Sequence, residues 1–222
     1  ERFIVENMKG KEPKIAMLNH ESAVSRNACC KFNFLSWSKF NNRNNTPNII
    51  VIILAPKNEE SKGKYWPGLN LAVADSTDAA LESLKPIKDK YNGYIGGEIA
   101  QFVYARQLMS KSEFKKALQE LEDVSVEDTY VKVMAIGLQG DCYSDMEQYD
   151  SAFEKYMEAA EMQENDLTAP IYLKKAGLCA EALNNFDIAS TNYKTIMDNY
   201  ADFARENQIE RYYARANNKT TK

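Results

Sequence analysis

Gly140 to Ala160 reads GDCYSDMEQYDSAFEKYMEAA, and the spacing inside it decides the fold. Gly140, Tyr143, Tyr149, Ala152, Tyr156 and Ala159 stand at offsets 0, 3, 9, 12, 16 and 19. On two short antiparallel helices those offsets put small and aromatic residues on the touching faces. One such hairpin cannot bury its apolar face alone, so copies of it must lie alongside. The same offsets from Gly177 give Ala180, Phe186, Ala189, Tyr193 and Ile196, and from Ala105 they give Leu108, Phe114, Ala117, Leu121 and Val124. A weaker fourth copy from Gly68 gives Leu71, Thr77, Ala80, Leu84 and Ile87, losing the aromatic at the turn but keeping the small and apolar positions.

The four alanines Ala80, Ala117, Ala152 and Ala189 are 37, 35 and 37 residues apart. That is close to the tetratricopeptide period of about 34, with a few residues added between units. The spacing is a packing code. A missing side chain where the second helix crosses the first, as at Ala152, lets two axes approach, and Gly140 and Gly177 serve the same approach from the first helix. Phe114, Tyr149 and Phe186 fall at the turn, where a ring covers the open end of the hairpin and leaves any hydroxyl in water.

Composition excludes several classes. Residues 1–60 hold nine Lys or Arg against six Asp or Glu, while residues 61–222 hold nineteen against twenty-six. An acidic repeat region argues against a surface that tracks phosphates, and so against nucleic acid. Four cysteines are too few for a disulfide framework at 222 residues. Cys142 and Cys179 occupy the same position on neighbouring first helices, too far apart for a disulfide, and read as buried small-residue packing. Cys29 and Cys30 near His20 lack any zinc-type spacing, so no metal or cofactor is expected.

Along the chain, residues 1–60 read as an irregular N-terminal arm and residues 61–222 as a helical repeat domain. Asn41 to Asn48 is a turn-prone polar run. Ile49 to Ala55, IIVIILA, is apolar but far short of the roughly twenty residues a bilayer-spanning helix needs. A short buried strand, a degenerate membrane anchor and a surface that packs on a partner all fit it. Helix pairs are expected near 97–110 with 113–123, 129–145 with 149–162, and 167–183 with 186–199. Tyr91 to Gly97 is the break before the first of them, and Asp166 or Thr168 is the cap before the third, with Pro170 in its first turn. The segment after Ala201, carrying Phe203, Ile209, Tyr212, Tyr213 and Ala216, is the terminal capping helix, followed by a frayed tail. The fold class is therefore all-α, a solenoid of three to four stacked hairpins plus a cap.

Leu54 to Ala216, with LAPKNEE, ADSTDAALESLKPIKDKY, the AIGLQGDCYSDMEQYDSAFEKYMEAAEMQEND run and ENQIERYYARA in order, resembles the tetratricopeptide-repeat (TPR) proteins common in Bacteroidetes. Those are similar in turn to the ancillary Sec-translocon subunits of the bacterial envelope. Members of that group carry a transmembrane helix just before the equivalent of LAPKNEE, where this chain has the Asn-rich run and IIVIILA. The resemblance implies a non-enzymatic scaffold for protein partners, facing the periplasm from the cell envelope. The N-terminus as written, without a full anchor, implies a cytoplasmic or soluble protein instead.

In a tetratricopeptide array the concave face is lined by first-helix residues three before the small residue and one and four after it. Here these are Phe102, Arg106 and Met109, then Gly137, Asp141 and Ser144, then Lys174, Leu178 and Glu181. They mix apolar groups with both charge signs, as expected of a groove that reads side chains on a protein or peptide partner. An enzyme would need a reaction centre, and the chain holds no phosphate-cradling GxxxxGK, no GxSxG and no HExxH. Glu120 with Glu122 and Glu158 with Glu161 are acid pairs placed on helices facing water, which makes them solvated charge. A third role, a structural subunit fixed in a larger assembly through IIVIILA and the N-terminal arm, follows from the tendency of such runs to aggregate unless covered.

Overall fold

A computed structural model describes residues 56–126 and 128–220. The readings of His20, Cys29, Cys30, the Asn41 to Asn48 run and IIVIILA fall outside them. Among the described residues the regular elements are helices. After a helical turn at 56–61 come α1 (Trp66–Val73), α2 (Thr77–Lys90), α3 (Ile95–Ser110), α4 (Phe114–Glu122) and α5 (Thr129–Asp145). Then follow α6 (Tyr149–Met162), α7 (Ala169–Ala182), α8 (Phe186–Asn199), α9 (Ala201–Glu206) and α10 (Ile209–Thr220). They pair as four hairpins, α1 with α2, α3 with α4, α5 with α6 and α7 with α8, and each hairpin packs on the next. The three clear repeats and the weaker fourth are all present.

The repeat positions form the core. Ala80, Ala117, Ala152 and Ala189 are fully buried, and the side chains sixteen residues beyond each first-helix small residue, Leu84, Leu121, Tyr156 and Tyr193, are buried with them. The space left at each glycine is taken by that partner rather than by a backbone. A Cβ on Gly140 would lie 2.6 Å from the Tyr156 ring, one on Gly177 2.5 Å from the Tyr193 ring, and one on Gly68 would overlap Leu84. Where Ala105 replaces the glycine, the smaller Leu121 replaces the ring. Contrary to the simple picture of two axes drawn together, small and large side chains interlock across the hairpin.

Each hairpin turn has the same backbone. Asp75, Ser112, Glu147 and Asn184, all seven residues past the repeat's small residue, take positive φ of 56°, 61°, 61° and 60°. The next amide then bonds back to the first helix, as from Glu113 N to Leu108 O, Gln148 N to Tyr143 O and Asn185 N to Ala180 O, at 2.8–2.9 Å. This is the Schellman closure of a helix, made here by residues other than glycine.

Two boundaries differ from expectation. Gly96 and Gly97 belong to α3 rather than to the break before it; both are glycine because a side chain on either would strike the carbonyl of Ser61 or Tyr91. The break is shorter and turns at Gly93, with φ 79°. Before α7 neither Asp166 nor Thr168 caps the helix with its side chain. Asn165 organises that loop, its Oδ1 accepting from Leu167 N and Thr168 N while its Nδ2 donates to Thr168 Oγ1. Asn165 makes the side-chain turn that competes with an ordinary cap.

Buried polar side chains join one hairpin to the next. Glu98 is almost fully buried, and its carboxylate accepts from Gly93 N at 2.9 Å and Ser125 N at 2.6 Å, holding the loops on both sides of its hairpin. Gln139 on α5 donates to the Leu121 carbonyl of the preceding hairpin, while Gln101 donates to the Glu120 carbonyl within its own. These bonds satisfy acceptors that a helix end leaves open.

The cap comes in two pieces broken at Gln208, with φ 54°. The tail expected to fray is helical to Thr220. In α10, Ile209 and Ala216 are fully buried. Tyr212 lies 5.6 Å from the Tyr193 ring, much as Tyr172 lies 6.4 Å from Tyr156. The cap thus rests on α8 as α7 rests on α6.

Two stability tests follow. Gly140→Ala drives a methyl into the Tyr156 ring and costs about 1–3 kcal/mol, more than the gain in helix propensity of at most about 1 kcal/mol. Adding Tyr156→Leu, which copies the native Ala105 and Leu121 pair, recovers about 1 kcal/mol in a denaturant double-mutant cycle, and simple additivity would refute the interlock. Glu147→Gly relieves a left-handed residue that has a side chain and raises stability by about 1 kcal/mol, whereas Asn184→Gly changes it by only a few tenths because Asn tolerates that region.

Candidate functional site

The first helices α3, α5 and α7 carry the candidate residues, and their placement divides these into spent and free groups. Phe102 is only 7% exposed and packs in the core with Val103 and Leu108. Gly137 is buried against the Tyr172 ring, so it serves the contact between α5 and α7. Met109 and Ser144 are half-buried, while Arg106 and Leu178 stand exposed.

Asp141, Lys174 and Glu181 are occupied within the molecule. Asp141 Oδ1 accepts from the Tyr156 hydroxyl and from Lys175 Nζ, both at 2.6 Å. The Lys175 ammonium also lies 5.5 Å from the Tyr156 ring centre and 5.9 Å from that of Tyr172. Glu181 accepts from the Tyr193 hydroxyl at 2.9 Å and takes both arms of the Arg215 guanidinium at 2.9 and 2.8 Å. Lys174 Nζ reaches Asn207 Oδ1 at 3.2 Å and lies 5.0 Å from the Tyr212 ring centre. The two acids tie one repeat to the next in the same way: a second-helix tyrosine grips an acid on its own first helix, and that acid holds a base on the following one. Paired, bidentate contacts of this kind fix geometry as well as charge.

Sequence reasoning did not single out Lys175, Arg215 or the hydroxyls of Tyr156 and Tyr193. Their signal was present in the spacing, since Asp141 to Lys175 and Glu181 to Arg215 are both 34 residues. Between them, Ser144, Tyr149, Tyr156, Lys175, Leu178 and Cys179 line an open hollow of about 270 Å³.

Burial governs the ionisation of this region. It pushes the Cys142 thiol up to about 12, helped by Asp141 and Asp145, and the Cys179 thiol up to about 11. Burial followed by the charge of Asp141 raises the Tyr172 hydroxyl to about 12. Tyr156 and Tyr193 are raised further, first by burial and then by the carboxylates that accept their hydrogens. None of these groups is poised to react near neutral pH. Of the acid pairs, Glu120 bridges Lys88 at 3.0 Å and Glu158 bridges Lys155 at 2.8 Å, whereas Glu122 and Glu161 stand in water. Glu120 is thus an anchor between hairpins rather than solvated charge. Among the described residues no three His, Cys, Asp or Glu side chains are grouped to hold a metal.

Solved structures share this arrangement of hairpins. Nearly identical TPR-like repeats from a Podosopora anserina kinesin light chain candidate superpose with a TM-score of 0.57 at 12% identity, over 74% of this chain and 88% of that one. The fold is a tetratricopeptide-repeat solenoid. MamA superposes with a TM-score of 0.53 at 15% identity over 69% of this chain and 94% of its own. The apo form of RapI gives 0.56 at 16% identity over 63% of this chain, which spans only 42% of RapI. No family model matches the chain, and neither does any curated protein. At these identities the likeness is one of fold.

In a chain carrying Cys29→Ser and Cys30→Ser, Cys142 and Cys179 should resist iodoacetamide at pH 8 in the native state and both react in denaturant. Rapid native labelling, followed by mass spectrometry, would contradict their burial.

Proposed function

We propose that the chain is a non-catalytic scaffold that holds partner proteins on its first helices. The observation that carries this reading is the division of the first-helix face. One set of side chains locks repeat to repeat, while Arg106, Leu178 and the hollow beside Ser144 stay open on the stack so formed. A rigid scaffold with free side chains at regular intervals suits recognition of a peptide or helix. The groups that chemistry would need are spent: the thiols are held protonated, and Glu120 and Glu158 are paired with lysines.

In this reading residues 61–222 are the binding body and residues 1–60 an arm. The resemblance of Leu54 to Ala216 to ancillary translocon subunits supports partners at the cell envelope, either translocon components or proteins emerging from them. Among the described residues no helix is long and apolar enough to cross a membrane.

Replacing the two open side chains together, Arg106→Glu with Leu178→Ser, should remove most partners recovered by pull-down of the full chain from membrane and soluble fractions, while Asp141 and Lys174 keep the repeats locked. Circular dichroism should confirm that the variant remains helical. Unchanged recovery would remove the first-helix face from the binding reading.

A further inference from the structure

All loops between hairpins lie at one edge of the stack, where the first helices begin, because successive first helices run parallel. At that edge α5 presents Tyr130 and Met134, 46% and 38% exposed, and the α7 segment presents Leu167 and Ile171, 64% and 38% exposed. They sit ten and six residues before Gly140 and Gly177, so the two pairs are repeat-equivalent. The two pairs therefore fall at the same edge of two adjoining first helices, whose contact is fixed by Gly137 on Tyr172 and by Asp141 on Lys175.

The surroundings of the two pairs carry one sign of charge. Between Lys116 and Lys132 the chain has five acids and no base, and between Lys155 and Lys174 it has four acids and no base. Two of these are paired with lysines, Glu120 with Lys88 and Glu158 with Lys155. Glu122, Asp123, Asp128, Glu161, Glu164 and Asp166 are exposed, and among the described residues none of them is in an ion pair. The nearest bases do not offset them. Lys132 lies roughly 200° round α5 from Tyr130, and Lys174 is turned to Asn207 and Tyr212. Exposed apolar side chains at an edge whose loops and helix ends carry unpaired carboxylates attract apolar surface flanked by positive charge, and they repel acidic segments and anionic lipid.

We propose that Tyr130, Met134, Leu167 and Ile171 dock a cationic amphipathic helix of a partner protein, with Lys or Arg flanking its apolar stripe. This rests on the scaffold reading and moves the docking site from the first-helix groove to the loop edge. Neighbouring helix axes are about 8–10 Å apart, so a helix lying across α5 and α7 can set residues about seven apart on the two apolar pairs.

The test uses the full chain and a fluorescent synthetic helix of Leu and Lys about fourteen residues long, read by anisotropy at low and high salt. Two comparison peptides replace every Leu by Ser or every Lys by Glu. Tyr130→Ser with Leu167→Ser should weaken binding of the Leu/Lys peptide about tenfold or more, as should either comparison peptide on the unaltered chain. Glu161→Gln, Glu164→Gln and Asp166→Asn together, all at exposed positions, should remove much of the salt dependence without touching the apolar pairs. Ile188→Ser, exposed on α8, should change nothing. Equal binding of the Leu→Ser peptide, or a double variant no weaker than Ile188→Ser, overturns the proposal. So does failure of every peptide to bind, and that result leaves the scaffold reading to the pull-down. Loss confined to the Arg106→Glu and Leu178→Ser variant overturns the edge site but supports the groove.

Discussion

One steric trade governs the structure: a residue with little or no side chain on the first helix of a hairpin, opposed by a large buried one sixteen residues later. Gly140 with Tyr156, Gly177 with Tyr193, Gly68 with Leu84 and Ala105 with Leu121 are four settings of the same lock, with small and large volumes matched. Close packing makes that match exacting, since an interior at crystal-like density has no slack for an added methyl. The alternation also explains why one hairpin is no use alone. Its outward apolar residues find partners only on the next hairpin, so the cores run continuously from α1 to α10 and α5 contributes to both of them.

A second layer of interactions rides on the first. The rings that fill the space above Gly140 and Gly177 carry hydroxyls, and those hydroxyls reach Asp141 and Glu181. Each acid then faces a base on the following helix, Lys175 or Arg215. Hairpin packing and the register between hairpins are thereby coupled through single tyrosines. The polar contacts are half-buried, where geometry counts for more than net charge attraction. The same arrangement consumes charged residues that a surface reading would assign to partners, and it leaves recognition to the side chains it does not use.

The periodic signal was legible because it is local. Offsets from Gly140 found every hairpin, the four buried alanines at the hairpin crossings and nearly every helix boundary. What the offsets could not convey was depth or partnership. Phe102 looked like a surface anchor, yet it is buried. Asp141, Lys174 and Glu181 looked like free charge because a bridging acid and a solvated one are the same letter. For Asp141 and Glu181 only the 34-residue interval to their partners distinguished them. The glycines at 96 and 97 read as a break because glycine usually marks one, whereas here they admit the carbonyls of Ser61 and Tyr91 to a helix. Asn165 escaped notice because side-chain turns depend on the loop path rather than on period.

The last helix repeats the local pattern of a first helix without beginning a fifth hairpin in the described residues. Tyr212, Arg215 and Ala216 reproduce Tyr172, Lys175 and Ala176, and α8 receives them as α6 receives α7. The terminal piece therefore uses a joint common to the internal units. A lineage that duplicated or lost a hairpin could reseat the same end-piece with few compensating changes, so array length becomes an easily varied trait while the locking chemistry stays constant.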